Sequence, residues 1–122
     1  MKKYITKDSG ERQDYASGMR RDSQDDKPDF SLIVSMAMPY EEMPLTRFAA
    51  ILTRGAEKYG RNNWQFANSQ EELDRFKASA MRHFMQWISN EEDEDHMAAV
   101  MFNLNAAEFV KWKLKNEAHS DS

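Results

Sequence analysis

The sequence predicts a small all-α domain: a bundle of three helices preceded by a polar N-terminal arm. Three observations predict it. Apolar residues recur at helical spacing in two separate segments. A Ser-x-x-Glu signature, Ser69 to Glu72, marks the start of the second segment. From His96 to Lys115 there is neither glycine nor proline to break a third helix. No run shows strong strand alternation, and no internal repeat is visible.

Residues 1–29 are polar and charged, too poor in large apolar groups to build a core. They read as a flexible arm, either a solvated tail or a lid laid over something else. Arg20-Arg21-Asp22 and Lys27-Pro28-Asp29-Phe30 are the parts best suited to dock. Residues 30–117 form the helical domain, and 118–122 a polar tail. The apolar run from Phe30 to Met38 ends at Pro39 and is too short for its period to separate helix from extended chain.

Pro44 opens the first helix, where its missing N–H costs nothing. Leu45, Phe48, Ala49, Leu52 and Ala56 form its apolar stripe. Gly60 suits the stop, because glycine accepts the left-handed conformation found there. In the second helix Leu73, Phe76, Ala80, Phe84 and Trp87 mark the buried face, with Ser89-Asn90 as its end. The acidic run from Glu91 to Asp95 leads into the third helix. That helix is apolar nearly all round between Met97 and Val110, as expected of a central element.

The chain has 122 residues, 40% of them apolar and 31% charged, which points to one domain with a lean core that self-association would help. Seventeen Lys and Arg stand against 21 Asp and Glu, a net charge of −4 with no basic helix face. Stable DNA binding is therefore not expected, whereas a small anion needs only one local pocket. The absence of cysteine excludes a disulfide scaffold, a cysteine nucleophile and a thiolate zinc site. Without a signal-peptide core or a span-length apolar segment, the expected location is the cytoplasm.

Three sets of residues could carry chemistry. On a helix, Glu91, Glu94 and Asp95 would share one face, as would Glu92, Asp95 and His96. Carboxylates that close repel one another unless a cation sits among them, and a hard divalent cation can bridge them to phosphates. The alternative is a solvated acidic helix start favoured by the helix dipole. Second, His83 lies on the apolar side of the second helix beside Arg82, and His96 and Asn103 lie two turns apart on the third. Buried polar groups need partners, so these form either a satisfied core network or a polar pocket between helices. Third, the turn from Lys58 to Trp64 combines cations, amides and aromatics. Lys58 and Asn63 can hold phosphate oxygens, and Tyr59 and Trp64 can stack on a base. The alternative there is an ordinary helix stop with a packed Trp. Four glycines form no phosphate-cradling loop.

Taken in order, these blocks resemble a known family. They are Ser17-Gly18-x-Arg20-Arg21-Asp22, Lys27-Pro28-x-Phe30-x-Leu32-Ile33, Arg54-Gly55-Ala56-Glu57-Lys58-Tyr59-Gly60, Asn63-Trp64, Ser79-Ala80-x-Arg82-His83 with Trp87, and Asp93-Glu94-Asp95-His96-x-Ala98 with Asn103. The pattern, from about Ser17 to Glu108, resembles the N-terminal domain of phage dATP/dGTP diphosphohydrolases, which is similar to the all-α MazG-type nucleotide pyrophosphohydrolases. The resemblance implies a helical bundle completed by oligomerisation as a dimer or tetramer. It implies hydrolysis of a purine (deoxy)nucleoside triphosphate to monophosphate and pyrophosphate with a divalent metal, Mg²⁺, Mn²⁺ or Co²⁺. It places candidate metal ligands in the acidic run and phosphate contacts at Lys58, Arg82 and His83. The leading reading takes Glu91, Glu94 and Asp95 as metal ligands and catalytic residues and sets Tyr59, Asn63 and Trp64 near the base or lining the pocket, with His96 and Asn103 in the polar pocket between helices. The MazG type carries two helical carboxylate pairs; here Glu91-x-x-Glu94 and Glu92-x-x-Asp95 overlap in one run. That departure favours an alternative: a non-catalytic phage protein that sequesters a nucleotide or a nucleotide-derived signal. A third reading is a helical interaction module, for which nine Met and 11% aromatics could supply an adaptable surface.

Overall fold

The computed structural model describes residues 12–22 and 27–120; residues 1–11 and 23–26 of the arm and 121–122 of the tail lie outside them. The described residues fall into two compact units, divided after Ser35.

In the first unit a short antiparallel hairpin pairs β1, Arg12–Asp14, with β2, Arg20–Asp22. Gly18 closes its turn at φ +95°, a conformation that L side chains rarely adopt, and its N–H donates to the Tyr15 carbonyl at 2.9 Å. Asp14 and Arg20 stand opposite each other and form an exposed ion pair of 3.6 Å. So part of the polar arm has regular structure, and it is extended. Strands of only three residues leave no alternation for a sequence to show. The undecided segment after it opens with a 3₁₀ turn, Phe30–Ile33, capped by the Asp29 carboxylate on the Ser31 N–H, and residues 34–38 are irregular.

Among its described residues the second unit holds three α-helices, α1, Pro44–Tyr59; α2, Gln70–Ile88; and α3, His96–Ser120, with short 3₁₀ turns at Tyr40–Glu42 and Asn63–Phe66. Pro44 sits in the first turn of α1, and Gly60 ends it at φ +97°, its N–H donating to the Ala56 carbonyl. At the start of α2 the Ser69 hydroxyl accepts from the Glu72 N–H at 3.2 Å and donates to the Glu72 carboxylate at 2.7 Å. That carboxylate also accepts from the Asn68 N–H at 3.0 Å, so orphan donors are satisfied from both sides. Ser69→Ala is expected to lower stability by about 1 kcal/mol, read as a fall in the urea midpoint at unchanged slope. At the other end, the Asn90 N–H donates to Trp87 O and the Glu91 N–H to Gln86 O, with Asn90 at φ +60°. This is a Schellman stop with asparagine in the left-handed position.

α3 packs against both α1 and α2 and is the central element. It buries Ala98, Ala99, Ala106, Ala107 and Val110, small residues that let its neighbours approach closely. Ala67 and Leu73 complete one core cluster with Ala107 and Val110, with Phe76 and Leu114 against it. Trp64 sits edge-on to Phe102 and Phe109, at 6.3 and 5.6 Å between ring centroids. Lys113 ties the segment before α2 to α3 by donating to the carbonyls of Gln65 and Ala67.

Two expectations about buried faces need correction. On α2, Leu73, Ala80 and His83 are buried and Phe76 half-buried, but Phe84 and Trp87 are exposed and stack on each other, 6.1 Å between centroids. On α1, Leu45 and Ala49 are exposed and no residue is fully buried. Periodicity sets the direction of a stripe, but a three-helix unit covers only the part of it that meets a neighbour.

Candidate active site at the junction of α2 and α3

The acidic run is a connection, not a helix: regular structure stops at Ile88 and resumes at His96. The helical spacing expected to gather Glu91, Glu94 and Asp95 on one face therefore does not apply. Asp95 instead caps α3, its carboxylate accepting from the Ala98 N–H at 3.2 Å and its carbonyl from the Ala99 N–H at 3.0 Å. Arg47, in the first turn of α1, grips the same carboxylate with both arms, Nε to Oδ2 at 2.8 Å and Nη2 to Oδ1 at 2.6 Å. This contact fastens α1 to the start of α3. It holds the Asp95 carboxyl below its usual range and raises Arg47 above its own.

A group whose carboxyl is held low in the folded state contributes stability above its unfolded value of about 3.9 and loses it as pH falls through the native value. Asp95→Asn should therefore flatten the acid limb of a plot of urea midpoint against pH, from about pH 5 downward. An acid limb as steep as that of the parent chain would contradict this.

Behind the connection lie two buried imidazoles. His83 Nδ1 and His96 Nδ1 are 2.9 Å apart, and His96 Nε2 is 2.7 Å from Asp93 Oδ1. The bond to His96 lowers the Asp93 pKa. Burial, followed by the positive charge of Arg82, lowers the His83 pKa.

Two groups of side chains bring potential ligand atoms within 4.8 Å of one another: His83, Glu94 and His96, and Glu91, Asp93 and His96. Carboxylate oxygens with imidazole nitrogens are a donor set that fits a divalent cation. A cleft of about 470 Å³ opens over them, bordered among others by Arg47, Trp87, Glu91, Glu94, Asp95 and His96.

The structure thus gathers Glu91, Glu94, Asp95, His96 and, behind them, His83, although Asp95 belongs to neither ligand group. The other expected residues do not border this cleft. Lys58 and Tyr59 are exposed at the end of α1, the ammonium 5.5 Å from the ring centroid. Asn63 is exposed, and Trp64 borders a separate hollow of about 450 Å³ with Gln65, Asn105, Glu108 and Phe109. Arg82 is exposed. Asn103 is buried and bonds the Ala99 carbonyl one turn back at 2.8 Å, a satisfied core group. Sequence reasoning missed Arg47, which stands 48 residues from its partner, and gave Asp93 no role. Only the Asp-x-x-His spacing of Asp93 and His96 hinted at the second.

No helix among the described residues is long and apolar enough to cross a membrane. No curated protein and no solved structure matches the chain. Residues 8–119 match the family described as dATP/dGTP diphosphohydrolase, N-terminal, and with nearly its whole length in register with that family the chain belongs to it.

Proposed function

We propose that this domain carries out metal-dependent hydrolysis of a purine (deoxy)nucleoside triphosphate to the monophosphate and pyrophosphate. The observation that carries the reading is the convergence of Glu91 and Glu94 with buried histidines at the mouth of one cleft, in a chain of this family. Glu91 and Glu94 would hold the cation. When bound, a divalent ion bridges phosphate oxygens and makes a nearby water more acidic. Asp95 would act through Arg47, fixing the wall of the cleft and the first turn of α3. Arg82 and Lys58 are exposed cations available to the phosphate chain. Tyr59, Asn63 and Trp64 would lie toward the base.

The test is incubation of the purified protein with each (d)NTP, with and without Mg²⁺, Mn²⁺ or Co²⁺, and chromatography of the products. Metal-dependent monophosphate and pyrophosphate are expected. One observation favours a second reading: Arg47 occupies the Asp95 carboxylate, which thins the set of free carboxylates. A nucleotide that binds without metal and is recovered intact would establish sequestration and overturn the hydrolase.

A further inference from the structure

We propose that His83, His96 and Glu94 are ligands of one divalent cation, that Asp93 orients His96 for this, and that the paired imidazoles make the site select a transition ion such as Co²⁺ over Mg²⁺. The inference rests on the reading above only in placing a cation at this end of the bundle.

The geometry of the two rings carries it. Their Nδ1 atoms are hydrogen-bonded at 2.9 Å, one shared proton that a bound ion would replace, with the rings tilted by 38° and their centroids 5.1 Å apart. Two nitrogens in adjacent positions of an octahedral ion, each bonded at about 2.1 Å, lie roughly 3.0 Å apart. The Glu94 carboxylate offers an oxygen within 4.8 Å of a nitrogen from each ring. Both histidines are buried on helices, His83 at 9% and His96 at 2% exposure, so their directions are fixed by packing.

The second observation is the partner on the far side of His96. A metal-bound imidazole characteristically donates its other ring N–H to a carboxylate, which fixes the tautomer and leaves the remaining lone pair aimed at the ion. His96 Nε2 meets Asp93 Oδ1 at 2.7 Å in this manner. If Nε2 carries the proton, His96 Nδ1 keeps a lone pair, which accepts from His83 Nδ1–H and, once that proton leaves, is free to bind the ion. Imidazole nitrogen suits late first-row ions, whereas Mg²⁺ prefers oxygen ligands and retains its waters. Two nitrogens in the first set of ligands therefore decide the ion.

The test is a Co²⁺ titration of the purified chain followed by visible absorption, with Mg²⁺ as competitor. A ligand-field band that excess Mg²⁺ does not displace is expected. His83→Asn should abolish it with circular dichroism unchanged, and Asp93→Asn should keep it at about 10–100-fold weaker affinity. An unaltered band and affinity in a folded His83→Asn variant would overturn the site. Should that variant not fold, ¹⁵N spectra of the histidine rings in the parent chain, titrated with Zn²⁺, decide the matter. Shifts at Nδ1 of both rings support the proposal; shifts at Nε2 of His96, or at neither ring, sink it. Turnover with Mg²⁺ while both rings stay unperturbed would remove this inference and leave the proposed activity. Co²⁺ held by both rings without turnover would do the reverse.

Discussion

Glu94→Gln is expected to abolish nucleotide turnover, by at least about 10²-fold in kcat, while leaving the bundle folded. Glu94 stands in the connection between α2 and α3, exposed and outside any packed face. The substitution keeps the shape of the side chain and removes its charge, so on the proposed reading it would withdraw a charged ligand without opening a cavity. Its carboxylate belongs to the group that includes both buried histidines. The loss should therefore appear together with weaker metal binding and an unchanged thermal transition. Product formation, metal titration and melting are the three measurements. A Glu94→Gln variant with full activity would take Glu94 out of the chemistry, and one that fails to fold would show a structural role instead.

Arg47→Ala is expected to lower stability by about 1–2 kcal/mol, because it removes two charge-assisted bonds to one carboxylate. The figure is discounted for exposure, since roughly a third of each side chain still meets solvent. Arg47→Lys should recover only part of the loss, because an ammonium is a point charge and cannot reproduce the two-armed grip. Urea unfolding of the three proteins measures this. Asp95 would also lose the partner that holds it against the start of α3, so nucleotide affinity should fall alongside stability if the cleft is the site. An Arg47→Ala variant as stable as the parent would mean that the pair contributes nothing to folding.

The helices were legible in particular residues. Pro44 and Gly60 bracket α1, Ser69 with Glu72 opens α2, and Asn90 ends it. Each of these acts within a few residues of itself, through a missing donor, a hydroxyl or a left-handed turn, so the sequence carries the signal locally. The near-continuous apolar character of α3 likewise announced its central position. Less legible was which part of each stripe is covered: Phe84 and Trp87 keep the period of the buried face yet stand in solvent. The arm was legible only as polar, because a hairpin of three-residue strands leaves no pattern long enough to read.

By itself the sequence determined three helices and their order, a lean core without cysteine, and a family whose motifs run through most of the chain. Local chemistry and composition suffice for these. Only the tertiary structure decided how the polar residues divide. It gave Asp95 to Arg47, paired His83 with His96, and left Glu91 and Glu94 at the mouth of the cleft. The reason is physical: those contacts join residues 13 to 48 positions apart, across a connection that is not helical. Periodicity reaches only along one element, and helix packing alone decides which faces meet.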